Sequence, residues 1–174
     1  DAMTVTFNPL RRAGLIGFFG LLFGAGPGAR AATAQADFIL IEKAARRMTL
    51  SRGGETLSTY RIALGFAPAG HKEHQGDGRT PEGRYTIDLK NPQSQFHLSL
   101  RISYPNAEDR ARARDAGVDP GGDIFIHGTP GSWDWVGGFH VIRDWTLGCV
   151  AVSNDEIEEI WKLVAVGTPV EIRP

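Results

Sequence analysis

Between Asp37 and Ile172 the apolar residues come in short runs, mostly of period two, and Gly or Pro closes nearly every run. That pattern admits β-strands joined by turns and excludes a helical bundle. Asp37-Phe-Ile-Leu-Ile-Glu42 reads as a strand. Arg46–Arg52 and Thr56–Gly65 alternate on either side of Gly53-Gly54, a hairpin turn. Arg84–Leu89, Phe96–Ser103, Asp123–His127, Gly148–Val152 and Pro169–Ile172 supply further strands. With 22 Gly and 10 Pro the composition agrees, and Phe66–Gly83 is a long loop.

A single helix carries a clear start signal. Ser153 with Glu156 three residues on makes a capping box, and Ile157, Ile160, Trp161 and Val164 follow at helical spacing until Gly167. Asn106–Gly117 has no apolar stripe and reads as an exposed helical turn or loop. The expected fold is therefore mainly β: a single β-sandwich or barrel-like domain over 37–174 with one C-terminal helix.

The segment before it has a different grammar. Arg11 and Arg12 precede an apolar run from Ala13 to Gly26, and small residues follow Pro27. This order predicts a secretory signal peptide over 3–34, cut among Ala32, Gln35 and Asp37. A retained anchor is the alternative, although the run is shorter than the ~20 residues of a spanning helix. Export to a periplasm or cell envelope follows, with membrane contact only through this segment. Lys+Arg 19 against Asp+Glu 20 gives a net charge of −1, which leaves no broad basic surface for nucleic acid. One cysteine excludes an internal disulfide and a Cys-rich zinc site.

That cysteine, Cys149, lies directly after Gly148 and just before a strand. His127 stands where a buried strand opens into Gly128-Thr129. A thiol attacks an acyl carbonyl as thiolate, so it needs a base or a dipole beside it. His127 is the candidate general base and acid, raising the thiolate fraction of Cys149. Gly128 or Thr129 would orient the imidazole through a backbone carbonyl. The N–H groups of Gly148 and Cys149 would form an oxyanion hole. His140 is the rival base but lacks the strand-end His-Gly setting. On the residues alone, a small buried Cys and a core His remain an open alternative.

GDGRTPEGRY (Gly76–Tyr85), IFIHGT (Ile124–Thr129) and DWTLGCVAVSNDEIEEIW (Asp144–Trp161) together resemble the L,D-transpeptidase catalytic domain family, also called YkuD-like. The resemblance implies a β-sandwich in which Cys149 is the nucleophile and His127 the base, acting on peptidoglycan stem peptides. It also implies acylation by carbapenem-type β-lactams. Leu147 stands where the common family pattern has a second His, and Ala151 where it has Arg or Asn. The segment between His127 and Thr146 is slightly longer than usual, so the chain resembles a branch with D-W-T-x-G-C.

Arg79, Thr146, Arg143 and Trp145 are the expected substrate contacts. Lys72 flanks the same turn as Arg79 and with it either contacts acidic stem peptides or belongs to a solvated loop, and Arg143, Asp144 and Trp145 either line the acyl pocket or pin the loop. His71 and His74, spaced H-x-x-H beside Asp77, are poorly spaced for zinc, and His97 reads as structural. No metal or organic cofactor is required. The expected activity is acyl transfer between stem peptides through a Cys149 thioester. Hydrolysis by the same site, as an L,D-carboxypeptidase or an amidase releasing a wall-linked envelope protein, is one alternative. A non-catalytic wall-binding module is another. A papain-like protease is disfavoured because Cys149 enters a strand.

Overall fold

The computed structural model describes residues 35–131 and 141–174. The leader expected over 3–34, the Trp133–Trp135 loop and His140 lie outside the described residues.

Three antiparallel strands, β1 (Phe38–Glu42), β2 (Arg47–Arg52) and β3 (Glu55–Arg61), follow the alternation of the sequence. Met48 and Leu50 point inward and are fully buried. β4 (Gly83–Ser94) is twice the expected length. Its first residues pair with β8 (Pro169–Arg173) and the remainder with β5 (His97–Ile102), through two register shifts. Those irregularities absorb Pro92 and Leu89, which break the period-two pattern. β6 (Phe125–His127) and β7 (Val150–Ala151) complete a sheet of order β3-β2-β1-β8-β4-β5-β6-β7.

The C-terminal strand β8 is inserted between β1, to which it is parallel, and β4. The two edges of the sheet also meet. After β3 the chain runs on so that Ala63 and Ala151 exchange backbone hydrogen bonds of 3.0 and 2.8 Å, and Gly65 bridges Thr146. The sheet is thus curled, with these two bridges joining the chain beyond β3 to the far end, while β3 itself pairs only with β2.

Two helices flank it, one more than expected. α1 (Ala107–Ala116) has no apolar stripe, but its ends are specified. Asn106 accepts from the N–H groups of Glu108 and Asp109, Asp109 returns the bond to Asn106 N–H, and Gly117 closes the helix at φ 67°. What α1 buries is chiefly Asp109, whose carboxylate takes Tyr85 O–H, His71 and Arg112.

α2 (Asn154–Leu163) is amphipathic, with Ile157, Ile160 and Leu163 against the sheet. It stops at Leu163, before Gly167. There Lys90 Nζ donates to the carbonyls of Trp161 and Val164 at 2.5 and 2.9 Å, satisfying the helix C-terminus from a strand. Among the described residues no helix is long and apolar enough to cross a membrane.

Candidate active site

β6 and β7 run parallel with Ile126 opposite Val150 and His127 opposite Ala151. Ile126 and Val150 enter the core. By strand alternation, His127 and the residue just before β7, Cys149, share the opposite face. The topology thus brings a strand end and a strand start together from far apart in the chain.

Cys149 is half-buried, and Sγ accepts the Phe125 N–H at 3.4 Å. The thiol donates to the Asp123 carbonyl at 3.5 Å. Burial pushes its pKa up. The Phe125 N–H opposes that, the Asp123 carboxylate reinforces it, and the Lys72 ammonium opposes it.

His127 is 3% exposed, and burial lowers its pKa to about 4, with the Gly128 carbonyl working partly against the shift. Both shifts favour the uncharged forms. Both directions run against an enrichment in thiolate. The physical reason is desolvation, which penalises both members of an ion pair at this depth.

His127 Nδ1 lies 2.7 Å from the Gly128 carbonyl. A carbonyl only accepts, so Nδ1 carries the proton and Nε2 is left as the basic nitrogen. Phe96 packs over the imidazole at 4.4 Å between centroids, and Trp145 meets its edge at 5.8 Å. From the other side, Asn154 at the start of α2 accepts the N–H of Thr129 at 2.8 Å. Gly128 has no room for a side chain, since a Cβ would stand 2.4 Å from Asn154 Oδ1. The His-Gly-Thr turn is held rigidly by α2 and by the β4–β5 connection.

The Gly148-Cys149 turn is held as firmly. Gly148 has φ 134°, and a Cβ there would come 2.7 Å from the Arg79 carbonyl. Its N–H donates to Thr146 Oγ1 at 3.1 Å, so this donor faces the protein and not the groove. That corrects its expected place in an oxyanion hole and leaves the Cys149 N–H as the candidate donor.

Thr146 is buried, and its hydroxyl also donates to the Cys149 carbonyl at 2.8 Å. It braces the turn instead of offering a free group to substrate. Asp144 is a pin as well, receiving Arg46 Nη2 at 2.6 Å and the Leu64 N–H at 2.9 Å.

Two cavities of about 470 and 370 Å³ border this pair, and Phe96, Asp123, His127 and Cys149 line both. The larger adds Lys72, Gln75, Trp145 and Leu147 among others. The smaller is edged by Asn91, Gln93, Ser94 and Gln95.

Of the four expected substrate contacts, Trp145 and Thr146 line the larger cavity. Arg79 lines neither, because its guanidinium is drawn to the His71 carbonyl and to Glu73. Arg143 is exposed and lines neither. His71 turns to Asp109, the exposed His74 bonds the Gln75 carbonyl, and His97 pairs with Glu158.

Phe96 and Asp123 were not singled out in the sequence. Phe96 carries no motif and acts through the β4–β5 connection. A non-glycine residue at φ 55°, as Asp123 is, has no signature in a Gly-Gly-Asp run.

Comparison with known proteins bears on the family and the fold. The L,D-transpeptidase catalytic domain family, YkuD, matches residues 36–172. A protein of Escherichia coli (strain K12) that carries the name L,D-transpeptidase YafK is 31% identical over 112 residues, which are 63% of this chain and 38% of that protein.

The crystal structure of the helical cell shape determining protein Pgp2 from Campylobacter jejuni superposes with a TM-score of 0.61 at 25% identity, over 80% of this chain and 48% of that one. An L,D-transpeptidase from Mycobacterium smegmatis shares the fold, with a TM-score of 0.53 at 18% identity over 80% of this chain and 59% of its own. The chain spans less than half the length of YafK or of Pgp2. It belongs to the YkuD family of L,D-transpeptidase catalytic domains.

Proposed function

We propose that this domain is an exported cysteine acyltransferase of the L,D-transpeptidase type, acting on peptidoglycan stem peptides. The observation that carries the reading is the placement of Cys149 and His127 on one strand face, lining two cavities at once, with Nδ1 tied to a carbonyl. In this reading the leader over 3–34 directs export.

The reaction starts from the neutral pair. Sγ turns from the Asp123 carbonyl toward Nε2, which takes the thiol proton as sulfur attacks the carbonyl carbon of the third stem residue. Proton transfer accompanies attack, so a thiolate–imidazolium pair need not persist in a desolvated site. The Cys149 N–H supports the oxyanion. The C–N bond then breaks, and the imidazolium, a strong acid because of its burial, protonates the departing amine of D-alanine. A thioester remains on Cys149. An amine entering through the second cavity displaces it, passing its proton to Nε2 and restoring the thiol.

Two cavities meeting at one sulfur suit a reaction with two substrates. Water in place of the amine makes the same site a carboxypeptidase, or an amidase where the acyl chain carries a wall-linked envelope protein. The test is incubation with defined tetrapeptide muropeptides, read by mass. Loss of D-alanine with cross-linked product is expected, and Cys149→Ala abolishes it. Trimmed tripeptide alone assigns hydrolysis. Identical product masses for wild type and Cys149→Ala overturn the reading.

A further inference from the structure

Lys72 has an unusual position for a lysine on a loop. It is 3% exposed, lies in the wall of the larger cavity with Cys149, and is the only described residue lining either cavity that carries a permanent positive charge. Its ammonium donates to Asp77 Oδ1 at 2.8 Å and to the His74 carbonyl at 3.1 Å. An ammonium has three donors, and among the described residues only these two are used.

Lys72 forms a buried ion pair with Asp77, their side chains 3% and 5% exposed, yet Asp77 has other partners. Asp77 already receives the backbone N–H groups of Glu73, His74 and Arg79, at 2.7, 3.1 and 3.0 Å. A carboxylate so bonded closes a turn without a lysine.

The wall beside it is bare backbone. Gly76, Gly121 and Gly122 line the same cavity. A Cβ on Gly122 would meet nothing within 4 Å, and its φ is not in the left-handed range, so neither space nor backbone demands glycine there. The absent side chain leaves room in the cavity that Lys72 lines.

We propose that Lys72 is the carboxylate-recognition residue of this groove, its third N–H taking a carboxylate of the acyl-donor peptide. The inference rests on the acyl-transfer reading above and deepens it. A carboxylate held here makes a charge-assisted hydrogen bond inside a partly dry cavity. Uncharged amides of the same peptide would lose it. The carboxylate is either the free C-terminus of the donor or one on its side chains, and the two are separable by synthesis.

The experiment compares three synthetic tetrapeptide stems on the wild-type domain: the free acid, the C-terminal carboxamide, and the side-chain carboxamide. One amide is expected to fall about 10–100-fold in kcat/KM, the range for a hydrogen bond to a charged group. In Lys72→Met the same acid and amide should converge to within about threefold, residual binding being uniform.

A thermal melt and iodoacetamide labelling of Cys149 establish that Lys72→Met is folded. If it is not, Lys72→Gln, which removes the charge but can still hydrogen-bond Asp77, is read in its place. Equal rates on all three peptides overturn the role of Lys72 while the acyl-transfer reading stands. So does a wild-type preference that survives in a folded Lys72→Met. Failure of the wild type on every peptide overturns the acyl-transfer reading, and this inference with it.

Discussion

Thr146 holds the backbone of Cys149 in place: its hydroxyl donates to the Cys149 carbonyl at 2.8 Å while accepting the Gly148 N–H at 3.1 Å. One buried side chain thereby fixes the turn from which sulfur projects. Thr146→Val keeps the volume and strands both backbone groups. The expected cost is about 1–3 kcal/mol of stability together with slower acylation, whereas Thr146→Ser retains both. Thermal denaturation beside carbapenem labelling, followed by intact mass, checks this. A Thr146→Val protein as stable and as reactive as wild type would show the hydroxyl to be dispensable.

His127→Ala should slow acylation of Cys149 by a carbapenem about 10²–10⁴-fold, the usual range for a positioned general base. The strained lactam carbonyl stands in for the scissile amide. His140→Ala should change the rate little. Equal labelling of wild type and His127→Ala removes His127 as the base.

Stability should depend on pH through the same imidazole. Its folded pKa, about 4, lies below the ordinary histidine value, so the unfolded chain binds the extra proton first. Stability is therefore complete above an unfolded pKa of about 6.5 and falls as pH drops from there toward 4, by a few kcal/mol at most. Denaturant titrations at pH 7 and pH 4.5 measure it. His127→Gln should flatten that part of the profile, and an unchanged slope would contradict the assignment.

Phe96 lies 4.4 Å from the imidazole and lines both cavities. Phe96→Ala opens His127 to water, which lets its pKa rise toward the ordinary value and loosens its orientation. The pH–rate profile should shift upward on its acid limb, with kcat reduced by roughly tenfold. Phe96→Leu, which keeps the cover, should shift it less. Identical acid limbs for wild type and Phe96→Ala would deny the ring this part.

Gly148→Ala places a methyl group 2.7 Å from the Arg79 carbonyl at a φ of 134°. Residues forced into such backbone regions cost about 1–3 kcal/mol, and the clash adds to that. The melting temperature should fall, and iodoacetamide should label Cys149 faster than in the wild type. Gly122→Ala, set in open space, is the matched control and should melt as wild type does.

Much of this protein is written locally. A short apolar run marks β1 and period-two runs mark β2 and β3, because alternation is a property of neighbouring residues facing a core on one side. Ser153 and Glu156 announced α2 for the same reason: a capping box spans four residues. Cys149 and His127 were legible as candidates because glycines beside a strand end mark a backbone that something must approach.

Other features depend on partners remote in the chain. α1 is stabilised by its caps and by Asp109 buried against His71 and Tyr85, not by an apolar stripe. β8 finds its place between β1 and β4 only when the sheet assembles. Lys72 and Arg79 flank the same turn and look alike as cations in the sequence. Only the folded loop, by drawing Arg79 to Glu73 and burying Lys72 in the groove wall, decides which one faces the sulfur's cavity. The protonation of the reacting pair is tertiary too, since desolvation depends on everything packed around a group. A sequence names the thiol and the imidazole, and the surrounding protein sets their charge.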